Sequence, residues 1–479
     1  MINKEVKLLE KKLLGAPIEY AKRARTETLE PSKYRDEFKR DRDRVLYSKE
    51  FRRLSGKTQV FLSTADDQIR TRLTHTLEVS QISRTIADYL ELNSVLTEAI
   101  SLGHDVGHTP FGHAGENSLR HIMNNCYSFD NFQKILHLKD KGFKHNLQSL
   151  RVVCDLEQLY NDPGLNLTNY TLWGILNHTK KTWGKCENRI GKECFLIFKK
   201  KNCCNPKGPY VDFYNSYLDK VKLYNGNEAW SFEGAVVKIA DEIAQRHHDI
   251  EDAIHLEIIT IDELLDEIQR FYHFLFNEED NFLIDKMNEN KDNIRLFIPY
   301  VSKFIVGFLS RVLTDNSATN LNNFKVKHRI KRREDFIKIY PKLSYDEVED
   351  MIDFPADLKK NEREFHDFLK QRILNSFEVQ RMDGKGGFII RQLFKAYLKN
   401  PRQLHDTTIN YIDRIFRKGK GPINTTLNKR DLGGFRKNID KPDFRKRKDF
   451  QIALLRGICD HIAGMTDDFA LSEYKRLYG

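Results

Sequence analysis

The sequence predicts an all-α, mostly helical protein, and three observations carry that prediction. Apolar residues recur at three- and four-residue steps in Val79, Ile82, Ile86, Ala87 and Leu90, and again from Val236 and Val237 through Ile239, Ala240, Ile243 and Ala244. That is the period of a helix with one buried face. Strand-like alternation is scarce: the short β candidates are Cys194–Phe198 and Gly387–Ile390, the latter after a turn-like stretch at Asp383–Gly387. Hydrophobic residues make up 40% of 479, which is too apolar for a wholly disordered chain and long enough to fold without disulfide staples.

Taken in order, Met1 to Leu14 mixes Lys4, Glu5, Lys7, Glu10, Lys11 and Lys12 with apolar residues, an amphipathic helix rather than a signal peptide. No apolar run approaches the ~18–20 residues of a membrane span, so no membrane partner is expected. Lys22 to Arg53 is basic but interleaved with acids at helical spacing, the pattern of an ion-paired solvated helix. Residues 182–227 are rich in Lys, Asn, Cys, Gly and aromatics and have weak periodicity, so they form a small irregular or β insert. Asn400-Pro401 and Lys418 to Pro422 are loops or hinges. Gly384-Lys-Gly-Gly387 and Gly419-Lys-Gly421 read as turns. Gly56-Lys57-Thr58 is no P-loop, because the first glycine of that motif would fall on Phe51.

Lys plus Arg is 80 and Asp plus Glu is 69, a net charge of +11. That excess favours an anionic partner: nucleotide, nucleic acid or membrane surface. Two basic clusters, Lys325 to Arg333 and Lys429 to Lys448, are poorly balanced by acids and are the candidates for an anionic partner: nucleic acid, single-stranded DNA among it, or an allosteric nucleotide. The seven cysteines are an odd number with no regular framework, as in a reduced, cytoplasmic protein. Cys186, Cys194, Cys203 and Cys204 lack the tight spacing of a zinc ribbon; they hold either a zinc or nothing.

The chemistry is concentrated in Leu102-Gly-His104-Asp105-Val-Gly-His108-Thr-Pro-Phe-Gly-His113-Ala-Gly-Glu116. His104 and Asp105 cannot share a helix face, but both can reach one ion at a helix end. An imidazole with a carboxylate suits a first-row divalent metal such as manganese, iron or cobalt. His75, on an amphipathic helix, and Asp241, set among apolar residues, are further candidate ligands. A carboxylate beside an apolar stripe is costly unless paired or metal-bound. Asp241, Gln245 and Asp249 stand at steps of four and line one helix face. Spacing alone allows a face lining a polar pocket or the outer face of an ordinary amphipathic helix.

The series His75, His104-Asp105, Asp241 resembles the signature of HD-domain metal-dependent phosphohydrolases. Phe51-Arg-Arg-Leu54-Ser-Gly-Lys57-Thr58-Gln59-Val60-Phe61, Arg70-Thr-Arg-Leu-Thr-His75, the His104–His113 block, Phe143-Lys-His145-Asn146-Leu-Gln148-Ser149-Leu-Arg151 and Ile462-Ala-Gly-Met465-Thr-Asp467 resemble the deoxyguanosinetriphosphate triphosphohydrolase family more specifically. The resemblance implies a helical arm over 1–69, an HD core over 70–255 carrying the insert, and a C-terminal helical region over 256–479 packed on that core. It implies hydrolysis of a deoxynucleoside triphosphate to deoxynucleoside and tripolyphosphate. His75, His104, Asp105 and Asp241 would hold a divalent metal (Mn²⁺, Mg²⁺, Fe²⁺ or Co²⁺), and His113 and Glu116 would be the catalytic pair. Arg72, His108 and His145 would lie near the phosphates, and Gln59 and Asp249 would read the 3′-hydroxyl. It also implies a homo-oligomer, a tetramer or hexamer, with an allosteric nucleotide.

Two departures bear on specificity. Where much of the family has a tyrosine under the sugar, this chain has Gln245. Asp241 is followed by Glu242 rather than a lysine, which leaves Lys180 or Lys181 beside His178 as sources of positive charge. Two other readings stand beside the first: an HD phosphohydrolase acting on ribonucleotides or monophosphates, and a nucleic-acid-binding regulator built on an HD scaffold.

Overall fold

A computed structural model describes residues 12–25, 35–59, 70–124, 129, 142–158, 162–179, 217–417 and 429–479. Most of the amphipathic helix expected over Met1 to Leu14 lies outside the described residues. The first described helices are α1 (Glu37–Leu46) and α2 (Lys49–Arg53), followed by α3 (Arg72–Tyr89), α4 (Ser94–Gly103), α5 (Gly112–Met123), α6 (His145–Arg151) and α7 (Asn169–Asn177). After the insert come α8 (Phe232–His255), α9 (Ile261–Tyr272), α10 (Glu278–Glu289), α11 (Ile294–Lys327), α12 (Arg333–Ile339) and α13 (Ala356–Leu374). The chain closes with α14 (Phe377–Lys399), α15 (Asp406–Arg417), α16 (Lys429–Asn438), α17 (Pro442–Arg445), α18 (Lys448–Ala463) and α19 (Asp467–Tyr478). Among the described residues β-structure is limited to two isolated bridge pairs, Thr58 with Thr71 and Lys222 with Glu228. The fold is all-α.

Local chemistry sets the helix starts. Asp36 caps α1, Asn93 caps α4, Thr168 caps α7, Ser231 caps α8 and Thr466 caps α19, each accepting from a backbone N–H of the first turn. The expected ion pairing around α1 is present: Arg23 meets Asp41 and Glu37, and Arg42 meets Asp43.

Two apolar cores form among the described residues. The larger takes the inner faces of α1, α3, α4 and α7 to α13. The second joins the C-terminal helices α14, α15, α18 and α19 to Leu119, Ile122 and Met123 of α5 and to Phe111 and Phe143. Helix α5 therefore packs on α14 and α18 rather than on the larger core. Buried ion pairing spans the same seam: Asp460 of α18 accepts from Arg151 at 2.8 Å and from Gln148 at 3.0 Å.

Three sequence expectations change. Gly387–Ile390 is not a strand, and Asp383–Gly387 is not a turn; both lie inside α14. Ser376 caps that helix, and Ile389, Ile390, Leu393, Phe394 and Tyr397 form one continuous buried stripe, so tertiary burial overrides the local glycine signal. The glycines serve close packing instead: a Cβ on Gly386 would lie 2.7 Å from Cβ of Phe111. The third change concerns α11, which is long and apolar enough to cross a membrane by length and composition. Its residues Phe297, Val301, Phe304, Ile305, Phe308 and Leu309 lie in the larger core, as in the core helix of a folded body. The candidate strand Cys194–Phe198, the four clustered cysteines, Lys180, Lys181, most of the insert and Gly419–Gly421 fall outside the described residues.

Candidate functional site

The site is built where α3, α4 and α8 converge. His75 projects from the second turn of α3, and Asp241 from the third turn of α8. His104 follows directly on the last residue of α4, so the helix end presents His104 and Asp105 together. His75 Nε2 lies 2.9 Å from Asp241 Oδ1, and His104 Nε2 lies 3.7 Å from the same oxygen and 3.6 Å from Asp105 Oδ1. One donor atom from each of His75, His104 and Asp241 falls within 4.8 Å of the others. The Asp241–Gln245–Asp249 face is turned inward rather than outward: Asp241 meets two histidines, Gln245 is half-buried and Asp249 is buried.

The His104 turn is pressed onto α6. Ser149 Oγ donates to the carbonyl of His104 at 2.8 Å and accepts from Gly107 N–H at 2.9 Å. A Cβ on Gly107 would sit 2.1 Å from Ser149 N, so this approach requires glycine.

The donor set fits a divalent cation. His104 Nδ1–H donates to the Ser101 carbonyl at 2.6 Å, which leaves the lone pair on Nε2. That Nε2 is buried and has no hydrogen-bond partner, while it faces two carboxylate oxygens. An unpartnered acceptor among carboxylates is the environment a cation satisfies. Burial pushes the Asp105 carboxyl up, but His108, His104 and Arg72 together hold it well below the usual carboxylate range.

The remaining candidates fall into two groups. Arg72 is buried and pairs with Asp105 at 2.7 Å, and its other nitrogen is 3.5 Å from the Gln59 carbonyl. Gln59 Oε1 is buried without a partner. His108 Nε2 lies 3.4 Å from Asp105, and its ring stacks on His145 with centroids 4.1 Å apart. Burial and Arg72 press His108 far down, against the opposing pull of Asp105. The second group centres on Glu116, fully buried on α5. It lies 3.5 Å from exposed His113 and 3.2 Å from His145 Nδ1, and it accepts from His145 N–H at 3.1 Å. Burial raises the Glu116 carboxyl, but His145 and His113 outweigh that and keep it ionised.

Two features escape a reading of sequence alone. His178 enters the site at the end of α7, its Nε2 3.3 Å from His145 Nε2 and its ring 5.1 Å from His104. Burial, then His104 and His145, depress it to about 3. Its only signal was a histidine ending an apolar helix. His248 touches His75, Nδ1 to Nδ1, at 3.3 Å. It stands seven residues after Asp241, two turns on along α8, a spacing that could have marked it.

Comparison with known proteins agrees with this architecture. Residues 72–246 match the HD domain, and residues 352–415 and 439–476 match the phosphohydrolase-associated domain. The chain is 31% identical over 457 residues to a deoxyguanosinetriphosphate triphosphohydrolase-like protein of Bordetella pertussis, covering 95% of this chain and 93% of that protein. Proteins of the same description from Rickettsia bellii and Leptospira interrogans are each 32% identical. They span 93% and 94% of this chain, and 93% and 91% of their own lengths. The shared domains, the helical fold and identity over nearly the whole length make this chain a member of the deoxyguanosinetriphosphate triphosphohydrolase-like family of HD-domain phosphohydrolases.

Proposed function

We propose that this protein hydrolyses deoxynucleoside triphosphates to deoxynucleoside and tripolyphosphate, with His75, His104, Asp105 and Asp241 as the ligands of one divalent cation. The observation that carries the reading is His104 Nε2, buried, unpartnered and aimed at two carboxylates. The bound ion would supply Lewis-acid charge at the α-phosphate. Arg72 fixes Asp105 through its 2.7 Å contact and, with His108 and His145, lines the route for the phosphates. His113, exposed at the rim and oriented by Glu116, moves the proton at the reacting centre, either from the attacking water or to O5′. Asp249 and Gln59 supply hydrogen-bonding groups for the sugar 3′-hydroxyl.

Further partners belong to the same proposal: a homo-oligomer, an activating nucleotide and single-stranded DNA. Three arginines of the clusters that suggested DNA are engaged within the chain. Arg333 donates to the carbonyls of Lys12, Gly15 and Ala16, Arg436 pairs with Asp406, and Arg445 pairs with Asp440. Of the two described cysteines, Cys154 and Cys459, neither is in a disulfide, in keeping with a cytoplasmic location.

The test is a product assay with Mn²⁺ across all dNTPs and NTPs. Tripolyphosphate from dNTPs is expected; monophosphate with pyrophosphate would refute the reaction. Equal rates on GTP and dGTP would favour the broader nucleotide phosphohydrolase reading that Gln245 motivates.

A further inference from the structure

Behind His75 lies a chain of hydrogen-bonding groups that leads away from the site. His75 Nδ1 meets His248 Nδ1 at 3.3 Å, and His248 Nε2 contacts Glu78 Oε2. The other Glu78 oxygen lies 3.5 Å from Arg70 Nε, and Arg70 also pairs with Glu251. His75 and His248 are buried, and Glu78 sits at the solvent edge. All the groups come from α3, from α8 and from Arg70 just ahead of α3.

The proton positions follow from elimination. A carboxylate only accepts, so the His248 nitrogen against Glu78 carries its hydrogen. A neutral His248 then has its lone pair on Nδ1. Two ring nitrogens in contact need one proton between them, so His75 must donate from Nδ1. A neutral His75 therefore keeps its lone pair on Nε2, the nitrogen that faces Asp241 Oδ1 at 2.9 Å. With neutral imidazoles, this is the one assignment that satisfies every contact away from the site. It leaves two acceptors face to face inside the site, which a cation resolves.

We infer that His248 and Glu78 are positioning residues that fix His75 in its metal-binding tautomer through a carboxylate–histidine–histidine relay. The inference rests on the proposed role of His75 as a ligand. The relay holds the ring in place and prepares the Nε2 lone pair before the ion arrives. Buried partners of this kind govern metal affinity about 10- to 100-fold. The helical spacings explain the assembly: Glu78 stands one turn after His75 on α3, and His248 stands two turns after Asp241 on α8. Both relay members thus share a face with the ligand on their own helix.

The experiment is Mn²⁺ titration of the metal-stripped full chain by calorimetry, with circular dichroism as the check on folding. H248L is expected to weaken Mn²⁺ binding about 10- to 100-fold. H248N, whose side-chain oxygen takes the place of Nδ1 and can accept from His75, is expected to recover most of the loss. E78A reads the relay from its solvent-facing end, where folding is least at risk, with an expected weakening of about 3- to 10-fold. A folded H248L or E78A with unchanged affinity overturns the relay. Equal weakening in H248L and H248N also overturns it, because a packing defect gives that result. H75A separates the two levels. If H75A still binds Mn²⁺ normally, the ligand reading falls and the relay with it. If H75A abolishes binding while H248L does not alter it, the relay alone falls.

Discussion

His75, His104, Asp105 and Asp241 stand on or beside helices whose apolar faces fill the larger core, whereas His113 and Glu116 ride on α5, whose apolar face belongs to the second core. The first wall is held by α3, α4 and α8 packing on one another. The second is held from the C-terminal region. Asp467, at the start of α19, accepts from Phe111 N–H at 2.9 Å, from Thr58 N–H at 3.0 Å and from the Thr58 hydroxyl. Phe111 is in the left-handed backbone region at φ 59° and leads directly into α5, a conformation that costs about 1–3 kcal/mol in a non-glycine residue. Lys57, buried and pulled down by that burial to about 8, donates to the carbonyls of His108 and Ala463. The C-terminal helices are thus not an appendage to the HD core. They place one wall of the candidate site, which lies at the seam.

That difference predicts that metal binding and proton transfer can be damaged separately. The largest effect is expected from D105A, which removes the carboxylate shared by His104, His108 and Arg72. Turnover should fall at least ~10³-fold, and calorimetry should show Mn²⁺ affinity lost with it. H113A touches only the second wall. Its kcat should fall about 10²- to 10⁴-fold while Mn²⁺ affinity stays within about 3-fold of the parent; joint loss of both would erase the distinction between the walls.

D467A acts further back. Two buried N–H groups and a hydroxyl lose their acceptor, which should cost about 2–3 kcal/mol in urea unfolding. It should lower kcat about 10-fold through a misplaced α5 without weakening Mn²⁺ binding. Unaltered kcat in a folded D467A protein would detach the C-terminal helices from catalysis.

The smallest effect is pH-dependent. Burial lifts the Asp249 carboxyl to about 6, against an ordinary value of 3.8. Between those values the native chain binds more protons than the unfolded one, so this group's contribution to stability is full below about 4 and is lost as pH rises through 6. D249N removes the penalty of the buried charge. Its melting midpoint should exceed the parent's by about 2–4 °C at pH 8 and match it at pH 4; an equal gain at both pH values would rule out the charge as its cause.

Sequence alone showed the helical class, because periodic apolar stripes in α3 and α8 are local properties of the chain. It also showed the candidate ligands, because His75, the His104-Asp105 pair and Asp241 stand in quotable blocks and order. Glycine-rich Asp383–Gly387 misled because its meaning lies in Phe111, which packs against Gly386 from more than two hundred residues away. His178 and His248 were passed over for a similar reason: a histidine acquires a role from the group it faces. Only the tertiary structure decided that Asp241 looks inward, that His104 Nε2 is left without a partner, that His248 backs His75, and that α5 belongs to the second core. Those facts depend on which distant surfaces meet, and on the desolvation that meeting imposes. Local residue types and spacings do not encode either.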